Sequence, residues 1–251
     1  MKIVLIGSGN VATVLGRLII KNGHTVTHVI SPHIENAGIL AEELKCTYSH
    51  CKQPIVPDCD LVILSVSDSG LDNIYANVKS WNKPVVHTSG SVSIEILKKY
   101  ADVYGVLYPL QTLRKEMTTI PEIPFLVDGS TDEMYKFIDE FAKTLSPHVK
   151  RANDDERSKL HLAAVISSNF TNYMYKIAEQ FCNDEGVDFA MLHPLILETA
   201  QRATLFSPAD VQTGPAIRKD IQTLDKHLRL LNPYPKLRTT YLRITDSIMN
   251  P

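Results

Sequence analysis

Cysteine is scarce in this chain. Only Cys46, Cys51, Cys59 and Cys182 occur in 251 residues, and no two form a C-x-x-C pair. Three lie near His50, yet their spacing argues for reduced, packed thiols, so no metal site is expected. An excess of one charge is lacking too. Lysine and arginine total 26 against 28 aspartates and glutamates, a net of −2. That balance gives no electrostatic reason to expect a nucleic acid or an anionic membrane as partner. No apolar run is long enough to span a bilayer. The opening Met1–Ile6 is too short for a signal-peptide core and is broken by Gly7, so the expected compartment is the cytoplasm. Internal repeats and low-complexity tracts are also missing. The remainder is ordinary globular composition, 44% hydrophobic and 22% charged, with room for one large domain or two smaller ones.

The first part of the chain alternates strands and helices. Lys2–Ile6, His24–Ile30, Leu61–Val66, Pro84–Thr88 and Val103–Tyr108 are short apolar runs, the pattern of strands buried on both faces of a parallel sheet. Asn10–Asn22 has helical spacing, with Val11, Val14, Leu15, Leu18 and Ile19 on one face and Gly23 as the stop. Asn36–Leu44, Leu71–Lys79 and Ile94–Tyr100 read as further helices. Phe125–Asp128, a helix at Asp132–Leu145 and a strand around His148–Arg151 extend the sheet. The expected fold is α/β, a doubly wound, mostly parallel Rossmann sheet over residues 1–152. Residues 153–251 follow as an all-helical domain. Its helices are read at Asp154–Asp184, Phe189–Leu205, from Thr213-Gly214-Pro215 to about Leu231, and from about Tyr234 to Met249.

Chemistry begins at the first turn. Gly7-Ser8-Gly9-Asn10-Val11-Ala12 fits G-x-G-x-x-A and sits between a strand and a helix. Gly7 permits the tight turn, Gly9 lets a pyrophosphate reach the backbone, and Ala12 lets helix and strand pack closely. Free amides at the helix start then face the phosphates. At the end of the second strand an acidic residue would bind the ribose of NAD. The chain instead reads Ile30-Ser31-Pro32-His33. Ser31 and His33 can meet a 2′-phosphate, so NADP(H) is favoured over NAD(H), although no arginine stands at this tip and Glu35 is close by.

Three loops end the later strands, where ligands of open α/β sheets bind. Ser65, Val66 and Ser67 belong to the first, on the cofactor's ribose and pyrophosphate side. His87 and Ser89 belong to the second and Tyr108 to the third, nearer the reacting ring. In segment 154–184, His161, Ser168 and Asn172 fall within about 40° of one another on a regular helix. Asn169 adjoins them, whereas Lys159 points about 160° from His161. His161 is the preferred proton donor, since histidine titrates near neutral pH; His87, Tyr108 and Asn169 are the other catalytic candidates. Ser168, Asn172, Gly214 and Arg218 are candidates for the substrate, the last two as a carboxylate cradle at a helix start.

This arrangement resembles a family of NADP oxidoreductases with a Rossmann-like domain followed by a helical domain of unknown function. The likeness covers essentially the whole chain. It rests on Gly7–Ala12, His87-Thr88-Ser89-Gly90, Tyr108-Pro109-Leu110-Gln111-Thr112, His161-Leu162-Ala163-Ala164 with Ser168-Asn169, and Thr213-Gly214-Pro215 with Arg218 and Asp220. Many members carry histidine where this chain has Tyr108. The wider superfamily looks like pyrroline-5-carboxylate reductase, deazaflavin-dependent NADP oxidoreductase, ketopantoate reductase and 3-hydroxyisobutyrate dehydrogenase. The resemblance implies hydride transfer and a homodimer built through the helical domain. The helix lysine and asparagine of the last two groups have no counterpart at the same spacing in Lys159 and Asn169.

The expected function is NADP(H)-dependent oxidation or reduction of a small carbonyl- or imine-type substrate. A non-catalytic NADP(H)-binding sensor or scaffold is one alternative. A prephenate-dehydrogenase-like enzyme is another, suggested by a faint likeness at Tyr108-Pro109-Leu110 and weakened by the missing histidine.

Overall fold

The computed structural model describes residues 1–52, 58–74 and 78–251. The chain forms two compact units, Met1–Asn169 and Phe170–Pro251.

The first unit holds an eight-stranded sheet. Its strands are β1 (Lys2–Ile6), β2 (Thr25–Ser31), β3 (Thr47–His50), β4 (Leu61–Leu64), β5 (Val85–His87), β6 (Tyr104–Pro109), β7 (Phe125–Gly129) and β8 (Val149–Arg151). They lie in the order β3-β2-β1-β4-β5-β6-β7-β8. All pairs are parallel except β6 with β7. The expected doubly wound sheet is therefore present. Its strand order reverses between β1 and β4, which opens a crevice beyond Ile6 and Leu64, the usual ligand position in such sheets.

Alternate residues of β1 feed two apolar cores, one on each face. Ile3 and Leu5 pack with α1 (Asn10–Lys21), α2 (Ile34–Leu44) and α3 (Asp132–Leu145). Val4 and Ile6 pack with Leu71, Leu97 and Tyr100 on the other face. Full burial on both sides explains why these strands read as continuous apolar runs. Gly16 lets α1 and α2 approach, since a Cβ there would lie 2.6 Å from Leu44 Cδ1.

The second face departs from expectation. The helix expected at Leu71–Lys79 lies partly outside the described residues, at 75–77. On either side are short 3-10 turns, Asp68–Asp72 and Val78–Trp81, and Ile94–Lys99 is also a 3-10 turn. The Tyr100 hydroxyl donates to Leu71 O at 2.9 Å and accepts from Ile74 N at 3.1 Å. Side-chain bonds there take the place of a helical ladder. β4 ends at Leu64, before Ser65 and Val66.

A capping box starts α4 (Asp154–Ala164): Asn153 Oδ1 accepts from Glu156 N at 3.0 Å, and Asn153 N donates to Glu156 Oε2 at 3.3 Å. The backbone then opens into a π-helical stretch, Val165–Phe170, before α5 (Thr171–Asp184).

The second unit continues with α6 (His193–Leu205), α7 (Ile221–Leu230) and α8 (Pro235–Met249). No helix begins at Thr213-Gly214-Pro215. Residues 215–219 form turns, Lys219 takes a left-handed φ of 52°, and α7 starts only after Asp220, whose carboxylate caps Thr223 N at 3.1 Å. An acidic N-cap already occupies that helix start, so the expected carboxylate cradle at Gly214 and Arg218 has no helix behind it. Among the described residues no helix is long and apolar enough to cross a membrane.

Candidate active site

The glycine turn lies at the switch point. Gly7 has a φ of +124°, and a Cβ on it would fall 2.1 Å from Ser65 O, so the β1 and β4 ends can close only around glycine. Gly9 caps α1 with no side-chain hydrogen bond, and no acidic residue occupies the first turn. A Cβ on Gly9 would meet nothing within 4 Å. The helix start is thus an open, uncapped patch of positive potential, as a diphosphate requires. Ala12 is fully buried against the sheet, and Asn10 accepts from Lys115 N at 3.2 Å through Oδ1, tying the loop after β6 to this turn.

In front of the turn is a cleft of about 400 Å³. Of the residues expected to hold a cofactor, Gly7, Ser8, Gly9, Ser31, His33, Ser65, Val66 and Ser67 line it; Asn10, Val11, Ala12 and Ser89 do not. At the tip of β2, Ser31 Oγ accepts from Ser8 Oγ at 2.8 Å and from His33 N at 3.1 Å, which leaves its own proton for a ligand oxygen. Among the described residues the lining contains no carboxylate, and Asn36 adds a neutral amide. The open backbone, uncapped helix and polar, acid-free tip fit a dinucleotide carrying a 2′-phosphate. Gly7, Ser8 and Gly9 at the start of α1 would hold its diphosphate, and Ser31, His33 and Asn36 its phosphorylated ribose.

A second cavity, about 510 Å³, lies between the loop after β6 and α4 with its π-helical extension. Tyr108, Thr112, His161, Ser168 and Asn169 line it. Tyr108 and His161 are joined, hydroxyl to Nδ1, at 2.9 Å, with their rings edge to face. Ser168 Oγ meets Thr112 Oγ1 at 2.9 Å. The second candidate loop passes beneath. A Cβ on Gly90 would fall 2.6 Å from His161 Nδ1 and 2.7 Å from Tyr108 Cζ, so glycine is required for the two rings to meet there.

Charges around this pair are arranged in depth. Burial holds the Tyr108 phenol above its ordinary value, opposed by the Arg157 cation and reinforced by Asp68. Burial would also raise Asp68, but hydroxyls of Ser91, at 2.6 Å, and Ser89, with His161 and His87 nearby, bring it below the usual carboxylate range. Arg157 is fully buried and pairs with Asp154 at 2.7 Å.

His87 has a different environment. Its side chain is fully enclosed, its Nδ1 accepts from Ser89 N at 3.1 Å, and burial, then the Arg157 cation, pushes its pKa down to about 4. It lines neither cavity. Ser89 is likewise occupied, its Oγ accepting from Ser91 N and Val92 N, both at 3.2 Å, while its hydroxyl serves Asp68. Asn172, Gly214 and Arg218 belong to the second unit and are not in the lining of this cavity. Lys159 is exposed and paired with Asp155 at 2.5 Å.

Thr112, Asp68 and Arg157 were not singled out by sequence. The first two sit in loops that were, at strand ends. Arg157 had one available signal, an acid three residues before a base in the first turns of a helix.

Two family models match the chain. Residues 2–89 match NADP oxidoreductase, coenzyme F420-dependent, and residues 123–248 match a domain of unknown function, DUF2520. A solved structure from Bacteroides fragilis, named as a putative NADP oxidoreductase, is 35% identical, with a TM-score of 0.91 over 100% of this chain and 98% of that one. A reductive aminase from Aspergillus terreus, in complex with NADPH and ethyl-5-oxohexanoate, is 16% identical with a TM-score of 0.69, covering 98% and 94%. The pyrroline-5-carboxylate reductase of Streptococcus pyogenes is 14% identical with a TM-score of 0.64, covering 100% and 99%. The last two share the fold. No curated protein matches the chain.

Proposed function

The chain belongs to the family that joins a domain of the coenzyme F420-dependent NADP oxidoreductase type to a C-terminal domain of unknown function, and from that membership we propose that it is an NADP(H)-dependent oxidoreductase of small carbonyl or imine substrates. The observation that carries this reading is the Tyr108–His161 hydrogen bond on the wall of a cavity beyond the sheet's carboxyl edge. The choice of NADP(H) is supported by the acid-free lining at the β2 tip. It accords with the Bacteroides fragilis relative's name and with the NADPH of the reductive aminase.

NADPH, when bound, supplies a hydride to the substrate's carbonyl or imine carbon. The oxygen or nitrogen then needs a proton. Burial keeps Tyr108 a neutral phenol, so its proton stays in place until the substrate takes it. His161, already bonded to that oxygen, restores the proton. This moves the preferred donor from His161 alone to a Tyr108–His161 couple. Thr112, Ser168 and Asn169 supply hydrogen bonds that orient the substrate. His87, enclosed and held neutral, supports the floor of the site instead of touching substrate.

We assign cofactor binding to residues 1–152, which also give Tyr108 and Thr112 to the substrate, and the rest of substrate binding and dimerisation to 153–251. The second unit exposes Phe170, Met191, Leu195, Leu197, Leu205 and Phe206, more apolar surface than a monomeric helical unit ordinarily leaves to water. A second copy of this chain is the proposed cover, and light scattering reads its mass.

The test of the activity is NADPH oxidation, followed by absorbance, against small ketones, ketones with added amines, and cyclic imines. Turnover with one of these classes, reduced at least about 100-fold in Tyr108→Phe, supports the proposal. Stoichiometric NADPH binding with no oxidation across the panel would point to a cofactor-binding sensor instead.

A further inference from the structure

Arg157 is the largest fully buried side chain among the described residues. One nitrogen, Nη2, does all its bonding, to Asp154 Oδ1 at 2.7 Å and to Val92 O at 2.5 Å. Nε and Nη1 have no partner among the described residues. Asp154 Oδ1 also accepts from Ile94 N at 3.3 Å. The ion pair thus fastens segment 92–94 to the start of α4. That segment continues the turn in which Gly90 lies against the rings of Tyr108 and His161.

A buried ion pair is weak support for stability, and idle donors make it weaker. The arrangement makes better sense as electrostatics. Asp154 is partly exposed while Arg157 is fully enclosed, so solvent screens the anion and not the cation. The positive charge left over favours the ionised Tyr108 phenol and disfavours a charged His87.

We propose that the Arg157–Asp154 pair is the positioning element of the proton-donating site: it seats the turn under Tyr108 and His161, and its incompletely neutralised cation stabilises the phenolate that Tyr108 becomes. The proposal rests on Tyr108 being the donor in the reading above. The step balances as follows. The Tyr108 O–H bond breaks and its electron pair stays on the phenolate oxygen. An O–H or N–H bond forms on the substrate, whose carbon has received the hydride and whose π bond has supplied the pair that takes the proton. The phenolate is reprotonated through His161.

The titratable and charged groups around Tyr108 come from three places. His161, Arg157 and Asp154 come from α4, Asp68 from the turn after β4, and His87 from the end of β5. Asp68 opposes ionisation of the phenol and Arg157 favours it. Asp154, the anionic partner of Arg157, carries the opposite charge, so removing one or the other member of the pair is expected to move the phenol in opposite directions, which a purely structural clamp would not do.

The experiment is a pH titration of the full chain, without nucleotide, labelled with 3-fluorotyrosine and read by fluorine NMR. Tyr108→Phe assigns the resonance, and the added fluorine makes the phenol more acidic, so that it titrates while the protein is folded. Arg157→Gln is expected to move the Tyr108 titration to higher pH. Asp154→Asn keeps an acceptor for the Ile94 amide, removes the counter-charge, and is expected to move it to lower pH. Arg157→Lys, which keeps the charge, is expected to lie between Arg157→Gln and wild type. Should Arg157→Gln fail to fold, Asp154→Asn decides: a downward shift supports the proposal, and an unchanged or upward titration overturns it. Shifts of both variants in the same direction overturn it as well. The titration needs neither substrate nor cofactor, so its outcome is independent of whether NADPH is oxidised.

Discussion

Replacing Gly90 by alanine tests the Tyr108–His161 couple most sharply. The added Cβ would stand 2.6 Å from His161 Nδ1, 2.7 Å from Tyr108 Cζ and 2.8 Å from His161 Cγ. Ordinary contact begins near 3.4 Å, so both rings must retreat by the better part of an ångström, enough to break a hydrogen bond of 2.9 Å. Tyr108 is buried and has little freedom to move. Overpacking of this kind costs about 1–3 kcal/mol. At roughly 2–4 °C per kcal/mol for a chain of this size, the melting temperature should fall by about 2–12 °C. The assay is thermal unfolding of Gly90→Ala alone and combined with His161→Ala. Without the imidazole the new methyl meets only the Tyr108 ring, so the penalty should shrink by about 0.5 kcal/mol or more. Nucleotide binding, proposed at the glycine turn, should be unaffected. Unchanged melting, or an equal penalty in both backgrounds, would refute the geometry of the couple.

Other outcomes follow from the same structure. His87 is held neutral, its pKa brought from 6.5 to about 4. Between those values the unfolded chain binds the extra proton, so stability falls as the pH drops through that window, by up to about 3 kcal/mol. Urea unfolding across the window should show a flatter acid limb for His87→Asn; an identical slope would contradict the burial argument. Gly7→Ala combines a left-handed φ with a Cβ at 2.1 Å from a backbone oxygen. It should destabilise more than the usual ~0.5–3 kcal/mol of a point change and sharply lower the soluble yield. His33→Glu places a carboxylate at the β2 tip and should weaken NADPH by about tenfold or more while sparing NADH; equal losses for both nucleotides would remove His33 from the 2′-phosphate site.

The parts of the fold that were legible in the sequence were those set by local chemistry. The glycine turn, the apolar strands and the helix Asp132–Leu145 depend on residues next to one another. β3 was not anticipated because only Tyr48 among its four residues is apolar. It joins β2 instead through polar side chains, with His28 reaching Thr47 at 2.6 Å and Ser49 at 2.9 Å. The 3-10 turn Asp68–Asp72 was hidden because Tyr100, far along the chain, bonds Leu71 within it and Ile74 just after it. Pro215 suggested a helix start, but Asp220 with Thr223 formed the cap that prevailed. In the site, Tyr108 and His161 could be named singly, yet 53 positions separate them and only the fold reveals the bond. Ser168 was chosen from a regular helical wheel. The chain runs through a π-helical stretch there, and Ser168 still reaches Thr112. The spacing of Asp154 and Arg157 could suggest their pairing, but not that the cation is buried, since nothing local tells a buried cation from a surface one.

The most direct measurement is calorimetric titration of the wild-type chain and of Gly9→Ala with NADPH and NADH. A Cβ on Gly9 meets open space and its backbone angles suit alanine, so the variant should fold with a loss under about 1 kcal/mol. NADPH should bind the wild type more tightly than NADH, and Gly9→Ala should lose about tenfold or more through the methyl group alone. Binding of neither nucleotide to the wild type, or undiminished NADPH affinity in Gly9→Ala, would contradict the placement of a dinucleotide diphosphate at the start of α1.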